Sequence, residues 1–190
     1  VDIKLKTDSS TEPVDAVFVA NYVKFDDENT AETNLIASLT KAARQAVENF
    51  CQRALVQKTY VVDFDADDMD GDYFTLPFAP ISSVTSVSAI SEGGTETPYT
   101  KNVDYYEVGG QAKRIKISST FVALTDESNT LYRVEYVCGY GSTDCETIPE
   151  ELKIAISRTV ANWYLNRENV GSLPADIRGA CYNYRIWSEL

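Results

Sequence analysis

The hydrophobic period of this chain changes twice. As far as residue 58, apolar residues recur at three- and four-residue steps; from Thr59 to Val137 they alternate; beyond Thr147 the helical rhythm returns. That order reads as an α+β protein, with a helical layer built from the N- and C-terminal segments and an antiparallel β-sheet inserted between them.

The sharpest helix start lies at Thr147-Ile-Pro-Glu150. Thr147 and Glu150 have the spacing of a capping box, and Pro149 sits in the first turn, where its missing N–H is no loss. Leu152, Ala155, Ile156, Thr159, Val160 and Trp163 then form one apolar stripe. A second stripe of Ile154, Ala161 and Leu165 lies off that face and meets either another segment of the chain or a neighbouring copy. Near the N-terminus, residues 1 to 12 read as an extended arm, and Val14, Val17, Phe18 and Tyr22 as one face of a short helix. After a charged turn at 26–30, Asn29 and Glu32 repeat the capping-box spacing. Leu35, Ile36, Leu39, Ala42, Ala43, Ala46, Val47 and Phe50 keep the rhythm of the next helix. Its small alanines suit close approach by a second helix. Residues 33 to 51 are therefore expected to pack on 150 to 166, with Ala43, Ala46, Val47, Phe50, Leu152, Ile156 and Trp163 at the contact.

Between the helical segments, 59–64, 73–76, 84–90, 104–108, 114–117 and 132–137 read as short strands. Gly- and Asn-containing turns separate them, which favours hairpin connections. Beyond Asn169, Val-Gly-Ser-Leu-Pro breaks the helix, and residues 174 to 190 form one more. Tyr182, Tyr184, Arg185 and Trp187 concentrate there, so this terminus either packs on its own domain or docks a partner, since aromatics and Arg favour interface anchors.

Several chemistries have no support. There is no histidine, which removes Ser-His-Asp and Cys-His arrangements and the commonest zinc ligand. Cys51, Cys138, Cys145 and Cys181 are scattered, with no Cys-x-x-Cys pair, and read as free thiols in a reducing compartment. The acidic run from Asp63 to Asp72 fails as an EF-hand in either register. From Asp63 the sixth position is Asp68 and the twelfth Phe74; with Gly71 sixth, the first is Ala66 and the twelfth Pro77. It reads instead as a solvated acidic hairpin tip. Gly139-Tyr140-Gly141 and Gly109-Gly110 lack the rest of a phosphate loop. No run of eighteen apolar residues is present, so no membrane helix is expected. The net charge of −12, from 29 acidic and 17 basic residues, opposes a grip on nucleic-acid phosphates, yet suits a wall that DNA passes without sticking.

Five pieces in order carry a resemblance over residues 14 to 170. They are the alanine-rich helix running into Phe50-Cys-Gln-Arg-Ala-Leu-Val-Gln-Lys-Thr59; Leu76-Pro-Phe-Ala-Pro-Ile-Ser-Ser-Val-Thr-Ser-Val87; Asp104-Tyr-Tyr106; Val134-Glu-Tyr-Val-Cys-Gly-Tyr-Gly141; and Ile148-Pro-Glu-Glu-Leu-Lys153 with Trp163-Tyr-Leu-Asn-Arg-Glu168. Together they resemble the gp6-like head–tail connector (adaptor) proteins of long-tailed phages, also described as possible DNA-packaging proteins. The chain departs from that pattern at Gln52, where the family usually has Gly, so a strained or differently closed helix end is expected there.

The resemblance implies a structural, non-enzymatic subunit without a cofactor. It implies a single connector domain over 1–190: helical over 13–58, an antiparallel β insertion over 59–137, and a helical and docking segment over 146–190. Its implied place is the virion neck at the capsid vertex, after assembly in the host cytoplasm. The implied partners are the portal protein, a tail or stopper protein, and further copies of itself in a ring following the portal's twelve-fold symmetry, a dodecamer. DNA would pass through the channel without specific binding, and no membrane is involved. Tyr182, Tyr184, Arg185 and Trp187 are the candidate portal-docking residues. The alternative from another class is a stand-alone acidic binding module, calcium-dependent through the 63–72 run.

Overall fold

The computed structural model describes residues 1–9, 11–23, 30–91, 93–118, 131–141, 147–167 and 170–186. The turn at 26–29, the Asn29 half of the second capping box, Cys145, Glu168 and Trp187 lie outside them. The chain is α+β and divides into two compact units. One comprises Val1–Asp8 and Gln57–Gly139; the other comprises Ser9–Val56 and the segment that begins at Tyr140.

The named strands of the first unit pair antiparallel. Strands β1 (Asp2–Thr7), β2 (Lys58–Phe64), β3 (Tyr73–Thr75), β4 (Ile81–Ile90), β5 (Glu96–Pro98), β6 (Tyr105–Val108), β7 (Arg114–Ile117) and β8 (Leu131–Cys138) form two sheets, not one. The larger has the order β1-β2-β8-β4-β5 and the smaller β3-β7-β6. Strand β8 is central, between β2 and β4, and its alternation is clean: Tyr132, Val134, Tyr136 and Cys138 are all buried. It pairs with β2 in unbroken register from Lys58↔Cys138 to Phe64↔Tyr132. The inner faces of the two sheets meet through aromatics. Phe74 on β3 lies 4.8 Å from the Phe64 ring and 5.0 Å from that of Tyr132, centroid to centroid. Tyr136 is buried with its hydroxyl donating to Pro77 O at 2.9 Å, which satisfies the polar end of the ring.

Two sequence expectations change here. The N-terminal arm is an edge strand, β1, antiparallel to β2. The acidic run is a crossing between sheets, since β2 and β3 lie in different ones. It makes a short 3₁₀ turn at Ala66–Asp68, and Asp68 accepts from the Asp65 N–H at 2.8 Å. Asp63, the first acid of the run, faces Arg133 across the β2–β8 ladder in a bidentate pair of 2.7 and 2.8 Å.

The second unit is helical: α1 (Ala16–Val23), α2 (Thr30–Cys51), α3 (Glu150–Leu165) and α4 (Ala175–Cys181), then a 3₁₀ turn at Tyr182–Tyr184. Its core gathers Ala43, Val47, Leu152, Ile156 and Trp163 with Val19, Ile36, Val160 and Ile177; Ala46 and Phe50 pack at the border. Three hydroxyls buried on these helices, Thr40, Ser157 and Thr159, donate to the carbonyl four residues back. Trp163 Nε1 donates to Ser172 O at 3.0 Å, tying the connection before α4 to α3.

The face of α1 is the reverse of the one expected. Asp15 caps the helix, its side chain accepting from the Val17 N–H at 3.0 Å. Val14 thus precedes the helix, and Val14 and Val19 take the positions of a hydrophobic staple; both are buried in the core. This turns Val19 and Ala20 inward and leaves Val17, Phe18 and Tyr22 exposed. The capping box at α3 also does not form. The helix starts after Pro149 with no side-chain cap, and Thr147 Oγ1 donates instead to Tyr140 O at 2.8 Å.

Helix α2 ends in the left-handed turn that the family pattern assigns to glycine. Gln52 adopts φ +54°, and the Arg53 N–H reaches back to Glu48 O at 3.1 Å, the closing bond of a Schellman motif. A residue with a Cβ costs about 1–2 kcal/mol in that conformation. The Gln52 amide donates to Asn49 O at 2.8 Å, which offsets part of the cost.

One charge lies in the helical core. Arg44 is fully buried; its Nε and Nη2 donate to the Glu12 carboxylate at 2.7 and 3.2 Å, and Nη1 to Glu48 at 2.9 Å. The second oxygen of Glu48 accepts from the Leu55 N–H at 2.8 Å. Arg44→Ala is expected to cost about 3–5 kcal/mol in urea denaturation, because it strands a buried carboxylate. Glu12→Ala should cost clearly less, since Glu12 is only partly buried. Equal losses in the two variants would contradict this account.

The Asp63–Arg133 pair makes a pH-dependent contribution. The hydrogen-bonded Arg133 guanidinium holds the Asp63 carboxyl below the usual carboxylate range, although burial pushes it upward. A folded-state value below the unfolded value of about 3.9 means stability that is present above it and lost as pH falls through the folded value. The destabilisation caused by Asp63→Asn should thus stay constant from about pH 7 to 5 and shrink on further acidification. A difference that grows with acid would refute it.

Candidate assembly surface of the helical unit

The C-terminal segment is held by its own helical unit. Pro174 starts α4, and Ile177 and Cys181, one turn apart, are its buried anchors. Cys181 sits against the end of α2: Cys51 Sγ lies 3.7 Å from Cys181 O, and both thiols are buried. The hydrogen-bonded Cys181 thiol, with burial, pushes the Cys51 thiol well up, so it stays protonated.

Beyond α4 the chain folds back along the exit of α2. Arg53, directly after the left-handed turn, donates from Nε to Tyr184 O at 2.5 Å and from Nη1 to Tyr140 Oη at 3.3 Å. The Ile186 N–H donates to Cys51 O at 2.9 Å, satisfying a carbonyl at the end of α2. The Arg185 guanidinium lies over the Phe50 ring, 5.3 Å from its centroid. The Tyr184 hydroxyl donates to Glu151 at the start of α3, a bond that raises the phenol above its ordinary value.

The structure therefore brings Tyr184 and Arg185 together with Phe50, Arg53, Tyr140 and Glu151. Tyr182 is about half exposed, at 52%. Trp187 is outside the described residues. Sequence reasoning missed Arg53 as the organiser of this corner and Arg44 as a core residue. For Arg44 a signal existed: Thr40, Arg44 and Glu48 follow at four-residue steps beside Ala43 and Val47, so an Arg–Glu pair lies along the inner face of α2. For Arg53 no local pattern points to a carbonyl 131 residues away.

Among the described residues no His, Cys, Asp or Glu group is arranged to hold a metal ion. A shallow pocket of about 250 Å³ is lined by Asn162, Ser172, Leu173, Pro174, Ala175 and Arg178, with no acid or base among them to activate the Ser172 hydroxyl. What the unit offers is surface: the Tyr182 corner and apolar side chains turned outward on α1 and α3.

If Arg53 holds the C-terminal segment, Arg53→Ala should cost about 1.5–3 kcal/mol, the range for a hydrogen bond to a charged group. Amide hydrogen exchange at Ile186 should quicken more than exchange in the middle of α3. Unchanged Ile186 protection would show that the segment is held by other contacts.

No family model matches the chain, and no curated protein matches it in sequence. Solved structures do match in fold. A chain in a structure described as the virion of a native gene transfer agent (GTA) particle superposes with a TM-score of 0.80 at 18% identity, over 100% of this chain and 98% of that one. A chain in the neck of an empty GTA particle computed with C6 symmetry gives 0.76 at 21% identity, and one in the neck of a native GTA particle computed with C12 symmetry gives 0.70 at 19%, each with the same coverage. The chain has the fold of proteins found in the necks of such particles.

Proposed function

We propose that this protein is a head–tail connector (adaptor) subunit of a tailed-phage-like particle. It would form a ring beneath the portal, extend the DNA channel, and offer the tail or stopper protein its attachment surface. The observation that carries the reading is the end-to-end likeness to chains in particle necks, which covers both units and not one alone. Symmetry of six and twelve in those neck structures supports a ring of twelve copies. The work of such a subunit is mechanical, with no reaction and no cofactor, and its place is the virion neck after assembly in the host cytoplasm. The single connector domain of the sequence reading would then be two structural units acting as one assembly part.

Residues 173 to 190 are the proposed portal-docking segment. Tyr182, 52% exposed, is the most exposed of the described anchors; Tyr184 and Arg185 would exchange internal bonds for intermolecular ones. The charge of −12 suits a channel wall, because a ring of acidic subunits repels the DNA backbone that must slide past it.

Cryo-electron imaging of particles from cells producing the protein, with and without its gene, tests the reading. We expect a twelve-fold ring at the head vertex that is absent from gene-deleted heads. Normal necks without the gene would refute the assignment. The isolated protein should give no mobility shift on duplex DNA at roughly 0.15 M salt, where the screening length is about 8 Å. Micromolar binding that weakens steeply with salt would refute the repulsive channel.

A further inference from the structure

Two apolar faces of the helical unit are uncovered. On α1, Val17, Phe18 and Tyr22 are 62%, 51% and 47% exposed on the side turned away from Val19. On α3, Ile154 and Leu165 are 44% and 77% exposed. With half-buried Ala161 they fall within an arc of about 40° opposite the Leu152–Ile156–Trp163 stripe. None of these residues is charged.

We infer that the α1 face of one subunit packs on the Ile154–Ala161–Leu165 stripe of the next copy in the ring. The inference rests on the connector reading and names the contact that closes its ring. Three arguments select a second copy as occupant. A cyclic ring of more than two subunits needs a heterologous contact, hence two different patches on each subunit, and this unit carries two. Copies that each bear −12 repel, so close approach favours faces with an apolar centre; Arg158, which lies between Ile154 and Leu165 on this face, is already paired with Asp176. The area also fits. The two patches together expose on the order of 400–500 Å² of apolar surface, about half the apolar share of a standard interface burying roughly 1,600 Å² in total. Such a contact is too small to hold two free subunits together and sufficient once each is held in place by a twelve-fold template.

The test is cross-linking with a short bis-maleimide, applied to assembled necks containing the Phe18→Cys/Leu165→Cys protein in a Cys145→Ser background. Cys51, Cys138 and Cys181 are buried and should not react. The double variant is expected to give a ladder running past the dimer, and each single variant monomers only. Dimers from a single variant would mean a two-fold contact and overturn the inference. So would monomers from the double variant in necks whose images retain the ring, which leaves the connector reading standing. Necks of the wild-type protein with no ring of it would overturn the connector reading itself. As a second measure, Phe18→Glu should keep the wild-type melting temperature while its incorporation into necks falls about tenfold or more, since it puts an unpaired carboxylate into an apolar contact. Wild-type incorporation of Phe18→Glu would also overturn the inference.

Discussion

The helical unit depends on the burial of one guanidinium. An arginine with no solvent contact on an alanine-rich helix face is tolerable only if carboxylates meet it there, and Glu12 and Glu48 do. Each brings something else into place. Glu12 ties the segment before α1 to α2, and Glu48 uses its second oxygen to hold the Leu55 N–H after the helix has ended. One cation thus fixes an entrance, a helix face and an exit. Set against an apolar replacement of equal volume, such a network adds little stability, but removing any one member leaves a buried charge short of a partner.

Just after that network, the backbone turns left-handed at Gln52 and delivers Arg53 to the C-terminal segment. The strain at Gln52 is therefore supported from both sides. The Arg53 N–H closes the helix onto Glu48 O, and the Arg53 side chain carries the Tyr184 carbonyl. A glycine would make the turn at lower cost. With glutamine, the turn persists because the bonds around it determine it.

Periodicity made the layout readable: the two changes of period mark where helices give way to strands and return. The core residues on α2 and α3 were readable for the same reason, since Ala43, Val47, Leu152, Ile156 and Trp163 repeat at helical steps. Details that depend on where a helix begins were not. Moving the start of α1 to Ala16, under the Asp15 cap, rotates Phe18 and Tyr22 from core to surface. The capping box at Thr147 had the right spacing, but its hydroxyl met a tertiary partner, Tyr140 O, that no local pattern encodes. The division of the strands into two sheets was hidden too, because alternation tells which residues share a face and not which strand lies alongside. Of the candidate surface, the aromatic content of the C-terminus was visible, but the engagement of Tyr184 and Arg185 by Glu151 and Phe50 was not.

That engagement bears on how such a subunit could assemble. A docking segment whose aromatics and arginine are already bonded within the subunit pays for partner contacts with internal ones, so the net gain on docking is modest. Largely apolar helix faces of a few hundred Å² are likewise too small to drive association alone, and an acidic surface opposes it further. Under the proposed connector reading, each weakness would keep free subunits apart before assembly. Contacts that are weak singly become strong together when a template presents many sites at fixed spacing, because each bound neighbour raises the effective concentration for the next. On the same proposed reading, a chain built this way would stay dispersed until the template exists, and would close its ring there.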